Sequence, residues 1–136
     1  PIIKVGLVLE AHYHGDTALC AFGLGRRELL VYRDAIDVDD MKQLEEHFED
    51  HILELSKEDA QYYAANSFTY ERDGDCFLIM PEGVSERLMD QVRDRNVTPI
   101  TVNVSEFLKK GGGSVKCMIG DLGLVGDGEL SKHAIV

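Results

Sequence analysis

Residues 67–104 read SFTYERDGDCFLIMPEGVSERLMDQVRDRNVTPITVNV. Ser67 to Glu71 and Cys76 to Met80 are β-favouring runs joined by Arg72-Asp73-Gly74-Asp75, a turn with a glycine available for positive φ. Pro81-Glu82-Gly83 closes the second run. Ser85 then predicts the cap of a helix whose apolar stripe is Leu88, Met89 and Val92, and Thr98 to Val104 is a β-branched strand after it. The order is strand, strand, helix, strand.

Working outward towards the N-terminus, the same order precedes it. The apolar segment Ile2 to Glu10 predicts a strand, and Thr17 to Phe22 predicts another after a polar break at 11–16. Glu28 to Tyr32 is a further short strand, entered through the turn-prone Gly23-Leu24-Gly25-Arg26. From Val38 to Ile52, Met41, Leu44, Phe48 and Ile52 recur at helical spacing, with Asp37 placed to cap the first turn. Leu53 to Leu55 returns as a strand, and Lys57 to Ala65 predicts a short helix leading into residue 67. Each pass occupies roughly 50 residues, a unit too small to bury a core without packed neighbours.

Towards the C-terminus, Ser105 to Lys110 predicts a single capped helical turn that stops at Gly111-Gly112-Gly113. Ser114 to Ile119 reads as a strand carrying Cys117, and 120–136 as a glycine-containing loop with a final strand.

The composition is that of a globular chain: 136 residues, 44% hydrophobic, 29% charged, three prolines. Its longest apolar stretches, such as Phe77-Leu78-Ile79-Met80, fall far short of the ~20 residues of a membrane span. Fourteen basic against 25 acidic residues leave a formal charge of -11, a field that repels phosphate backbones and anionic lipid, so neither nucleic acid nor a membrane surface is expected as a partner. Eleven of the acids lie between Asp34 and Asp59, which describes a solvated helix face or a side that attracts cations. Three cysteines without a CxxC or zinc spacing point to reduced thiols in a cytoplasmic setting, and no secretory signal is visible. Pro1 in place of an initiator Met leads us to expect a processed chain or part of something larger.

Few residues suit chemistry. The three glycines before Cys117 permit close backbone approach, although they also simply end helices. Cys117 is a plausible nucleophile if its surroundings favour the thiolate, although a cysteine by itself is more often a small buried hydrophobe. His14 supplies an acid and base near neutral pH. Asp16, two residues along a strand, would share its face and could bind a cation beside the imidazole. His12 competes for that place. His47 and His51 stand at helical i, i+4 spacing, but no HExxH pattern supports a metal site, and Cys20 and Cys76 read as core.

The stretch Ser105 to Met118, SEFLKKGGGSVKCM, resembles the C-terminal active-site signature of the guanidino-group modifying superfamily, which includes arginine deiminase, dimethylarginine dimethylaminohydrolase, glycine amidinotransferase and arginine dihydrolase. His14-Gly15-Asp16-Thr17-Ala18-Leu19-Cys20 is similar to the His-x-Asp-Thr segment of that family, and Asn66-Ser67 fits the asparagine-containing segment between the two. Order and approximate separation agree from His14 to about Leu122.

The resemblance implies an α+β chain of the pentein kind, with ββαβ units arranged as a propeller around a channel. Here it covers the last two to three units, about 14–55, 57–104 and 105–136. It further implies Cys117 as nucleophile, His14 as general acid and base, and Asp16 as a guanidinium-binding carboxylate. No metal or organic cofactor is implied, and the ligand expected is a cationic guanidino compound. Dimethylarginine hydrolases generally lack an acid at the position of Asp16. Gly15 in place of a bulkier apolar residue, and Met118-Ile119-Gly120-Asp121 in place of a Met-Thr continuation, depart from the family. Family members are also longer, and their N-terminal units supply further carboxylates and arginines, so a second chain, an N-terminal half or another copy is expected, and little activity without it. The contrasting expectation is a non-catalytic pentein module that binds a partner through open sheet edges.

Overall fold

The computed structural model of the chain describes residues 2–121, and two three-stranded sheets of one design carry it. A single helical turn, α1 (Gly15–Ala18), runs into β1 (Leu19–Phe22), which pairs antiparallel with β2 (Glu28–Val31). The helix α2 (Val38–Phe48) crosses back so that β3 (Ile52–Glu54) lies parallel to β2. After α3 (Lys57–Gln61) the arrangement repeats: β4 (Phe68–Arg72) antiparallel to β5 (Asp75–Pro81), a crossover through α4 (Glu86–Arg93), and β6 (Thr98–Val102) parallel to β5. In both sheets the second strand is central. The helix α5 (Ser105–Gly111) follows, and no helix among the described residues is long and apolar enough to cross a membrane.

Local chemistry explains the elements. Asp37 accepts the amide of Asp39 and Ser85 that of Leu88, caps of the kind that contribute about 1 kcal/mol each. Asp73 (φ 53°) and Gly74 (φ 88°) turn β4 into β5 with the two positive φ values that suit strand twist. Phe22, Leu30 and Met41 from the first sheet and its helix, with Leu78, Met80 and Leu88 from the second, are fully or almost fully buried in one core. The halves are also joined by polar contacts: Cys20 Sγ donates to the carbonyl of Ser67 at 3.5 Å, and Arg95 pairs with Glu28 at 2.5 Å.

Several expected boundaries are corrected. The strand expected from Ile2 to Glu10 does not form: among the described residues an isolated bridge, Leu7 to Ile36, is the ladder contact there, and Glu10 opens a 3-10 turn, Glu10–His12. The strand expected from Thr17 begins at Leu19, because the amide and hydroxyl of Thr17 both bond the carbonyl of His14 and close α1. The helix expected to reach Ile52 ends at Phe48, since Glu49 takes φ 50° and Ile52 enters register with Leu29. The helix expected to run to Ala65 ends at Gln61, and Tyr63 takes φ 50° beyond it. Ser105 does not cap α5: Val104 holds that position, while the Ser105 amide and hydroxyl both go to Asn103 Oδ1. The strand expected at 114–119 is absent, and a 3-10 turn, Lys116–Met118, stands in its place. The expected final strand lies outside the described residues.

Candidate functional site

His14 and Asp16 do not lie on a strand. His14 is the N-cap residue of α1 and is exposed, and Asp16 occupies the first turn, half-buried. Strand alternation therefore does not put them on one face, and a helical turn fixes their relation instead. His12 competes with His14 when the residues are read without the resemblance. It is 5% exposed, its Nδ1 lies 3.0 Å from the carbonyl of Thr17, and its ring packs against Tyr32 and Tyr63. A ring so enclosed is a structural group, and of the two His14 is the one open to a ligand.

Cys117 is exposed in the 3-10 turn, whereas Cys20 and Cys76 are buried and their thiols are pushed up by desolvation. The glycines that precede Cys117 have separate tasks. Gly112 ends α5 in the left-handed region at φ 67°. A Cβ on Gly113 would stand 2.7 Å from Cys117 Sγ, so only glycine leaves room for the thiol in this turn. Gly111 packs its bare Cα beneath the ring of Phe107.

The turn and α1 meet through Asn66, which is fully buried. Its Oδ1 accepts the amides of Ser114 at 2.9 Å and Cys117 at 3.1 Å, and its Nδ2 donates to the carbonyl of Asp16 at 3.2 Å. The Asn66 main-chain carbonyl accepts the Lys116 amide at 2.9 Å. These bonds consume the amides that a strand at 114–119 would have offered to a neighbour, which is why that strand does not form. On the other side, the ring of Tyr13 lies 4.3 Å from that of His14, and a Cβ on Gly112 would stand 3.2 Å from the Tyr13 hydroxyl. Asp16, Cys117 and the glycine loop are thus neighbours through Asn66, and His14 approaches the same loop through Tyr13. Asn66 was visible in the sequence only as part of the resembling segment, and nothing local marks it as the link.

A cavity of about 280 Å³ opens beside this junction, with Asp16, Cys20, Ser67, Phe68, Arg26 and Lys116 among its walls. Asp16 therefore faces a polar hollow that also carries two cationic side chains. Neither Cys117 nor His14 forms part of its wall. His51 Nδ1 lies 2.7 Å from Glu28 Oε1, and among the described residues no group of three or more His, Cys, Asp or Glu gathers as a metal would require.

The family profile described as N,N dimethylarginine dimethylhydrolase, eukaryotic, matches residues 11–124. An N(G),N(G)-dimethylarginine dimethylaminohydrolase from Mycobacterium tuberculosis (strain ATCC 25618 / H37Rv) is 32% identical over 117 residues, covering 86% of this chain and 36% of that protein. Among solved structures, the product-bound N-terminal domain of ArgZ, an arginine dihydrolase from cyanobacteria, superposes with TM-score 0.74 at 27% identity, over 84% of this chain and 39% of that one. A variant of that domain has also been solved covalently bonded to a reaction intermediate. AgrE in complex with L-arginine gives TM-score 0.75 at 26% identity, over 85% of this chain and 16% of that one. The chain thus spans well under half the length of each.

Proposed function

The chain belongs to the N,N-dimethylarginine dimethylhydrolase family of guanidino-group hydrolases, and from that premise we propose that it is the catalytic C-terminal part of a cysteine-dependent enzyme acting on the guanidino group of arginine or a close relative. The observation that carries this is the single carboxamide of Asn66 bonded to both Asp16 and Cys117. It ties the main chain of the turn that carries a carboxylate able to pair with a planar cation to the main chain of the turn that carries an exposed thiol. The fold similarity to arginine dihydrolase domains supports the propeller reading, in which residues 105–136 begin a third unit after 14–55 and 57–104.

In the proposed reaction the thiolate of Cys117 attacks the guanidinium carbon and a C–S bond forms. The C–N bond to the leaving amine breaks as that nitrogen takes a proton from His14, leaving a thiouronium adduct on sulfur. His14 then accepts a proton from water, whose oxygen attacks the same carbon, and the C–S bond breaks to release the ureido product. With an amine in place of water the outcome is amidino transfer. Asp16 holds the cation during both steps, and further carboxylates come from N-terminal units that this chain does not include. The contrasting reading, a non-catalytic binding module, needs neither an acid–base group nor a thiol at these positions.

The test is complementation. Residues 1–136 alone should hydrolyse arginine and methylarginines poorly, because one carboxylate cannot organise a resonance-stabilised cation. Addition of the N-terminal units should bring release of ammonia or amine and a ureido product. Cys117→Ser should abolish turnover, and His14→Asn should permit at most a stalled adduct. A complemented enzyme that turns over no guanidino compound across a broad panel, or a Cys117→Ser variant of full activity, would return the chain to the binding-module reading.

A further inference from the structure

We propose that Asn66 is a positioning residue for this reaction, a buried carboxamide that sets the distance between the peptide of Asp16 and the peptide of Cys117. The inference rests on the assignment of attack to Cys117 and of guanidinium binding to Asp16.

The orientation of the amide is dictated by its partners. Two N–H donors, from Ser114 and Cys117, converge on one end and require an oxygen there, and the Asp16 carbonyl at the other end requires an N–H. The main chain of Asn66 is anchored independently, its amide donating to the Tyr63 carbonyl at 2.8 Å and its carbonyl accepting from Lys116 at 2.9 Å. A buried carboxamide costs free energy unless its polar atoms are paired, and the neighbouring buried positions, Ala64 and Ala65, are alanines. Here the side chain bonds two segments that lie 50 and 51 residues away on opposite sides of it in the sequence.

Local stabilisation of the cysteine turn accounts for only part of this. The two bonds to Oδ1, with the main-chain bond to Lys116, already anchor that turn. The bond from Nδ2 to the Asp16 carbonyl adds nothing to it, and its effect is to tie the carboxylate-bearing turn to the thiol-bearing one. Of the ordinary side chains only asparagine offers acceptor and donor at this reach. Glutamine would displace both by a methylene, and aspartate supplies no donor. A thiolate and a carboxylate that must grip one planar group from different directions depend on such a spacing, and a displacement of about 1 Å in a reacting pair can cost about 100-fold in rate.

Asn66→Asp separates the roles, because it keeps an oxygen for the Ser114 and Cys117 amides and sets a second oxygen against the Asp16 carbonyl. Protonation of the introduced carboxyl restores a donor at that place; burial and the facing Asp16 carbonyl favour the protonated form, against the Ser114 and Cys117 amides, which favour the charged one. The experiment uses the enzyme with its N-terminal units present and measures kcat per folded molecule for the unsubstituted protein, Asn66→Ala and Asn66→Asp between about pH 5 and 8. We expect kcat to fall by about 100-fold at neutral pH in both variants. The Asn66→Asp to unsubstituted ratio should climb as pH falls, while the Asn66→Ala ratio stays flat. Should Asn66→Ala fail to fold, the pH dependence of Asn66→Asp alone decides. A kcat per folded molecule equal to that of the unsubstituted enzyme, with only thermal stability reduced, would make Asn66 a purely structural residue and overturn the proposal. So would a loss in Asn66→Asp that acid does not relieve. Failure of the unsubstituted enzyme on every guanidino compound would instead remove the functional reading on which the proposal stands.

Discussion

Cys117 differs from the other two thiols in its access to solvent. Cys20 and Cys76 lie in strands of the core, where desolvation keeps them protonated, whereas Cys117 sits exposed on a turn from which a Cβ at position 113 is missing. Brief treatment with iodoacetamide followed by peptide mass spectrometry should therefore label Cys117 well before the other two. Labelling of all three at one rate would mean that the turn does not present the thiol as described. The candidate residues were legible in the sequence through the resemblance of Ser105 to Met118 and of His14 to Cys20 to a family signature, since a cysteine, a histidine or an aspartate taken singly has ordinary structural roles. Their surroundings were not: that His12 is enclosed and His14 open depends on Tyr32 and Tyr63, which come from distant parts of the chain.

At the scale of elements, the two helix entries before α3 and α4 share one carboxylate. Asp59 is 4% exposed; it accepts the Ser85 amide at 2.7 Å and the hydroxyls of Ser85 at 2.9 Å and Ser56 at 2.8 Å. Ser56 and Ser85 in turn cap their own helices. Asp59→Ala strands a buried amide and two hydroxyls, and we expect a loss of about 1–3 kcal/mol in urea unfolding of the assembled protein. Ser56→Ala, which leaves Asp59 bonded to Ser85, should cost less. Equal losses would show that Asp59 acts only through its own helix. The strands and helices of both sheets were readable from spacing, since a period of two or of 3.6 is a property of neighbouring residues. In two of the segments that depart from expectation, 17–18 and 114–119, a side chain takes over backbone groups: Thr17 at the His14 carbonyl, Asn66 at the amides of 114 and 117. A β-favouring composition cannot register such competition.

For the whole molecule, each of the two small sheets ends in two edge strands to which no further strand pairs among the described residues. Tyr70 on β4 is 45% exposed and Ile100 on β6 is 42% exposed, and both strands are edges of their sheet. Unpaired edges with apolar side chains tend to find partners, and the relatives supply more than half of their length from outside the matched region. We expect residues 1–136 to pack against the N-terminal units or against another copy, as measured by sedimentation. A monodisperse monomer with no companion chain would count against it.

The sequence by itself determined the repeated order of strand, strand, helix and strand, the caps at Asp37 and Ser85, the turn at Asp73-Gly74, and the short set of residues able to do chemistry. All of these are written in spacings of a few residues, over which the backbone period and a side chain's reach act directly. The tertiary structure alone decided that Cys20 of the first sheet meets the Ser67 carbonyl before the second, that Asp16 faces a cavity carrying Arg26 and Lys116, and that Asn66 ties the Asp16 turn to the Cys117 turn. These depend on bonds between residues some fifty positions apart, where the strength of a contact is set by burial and geometry that no local pattern encodes.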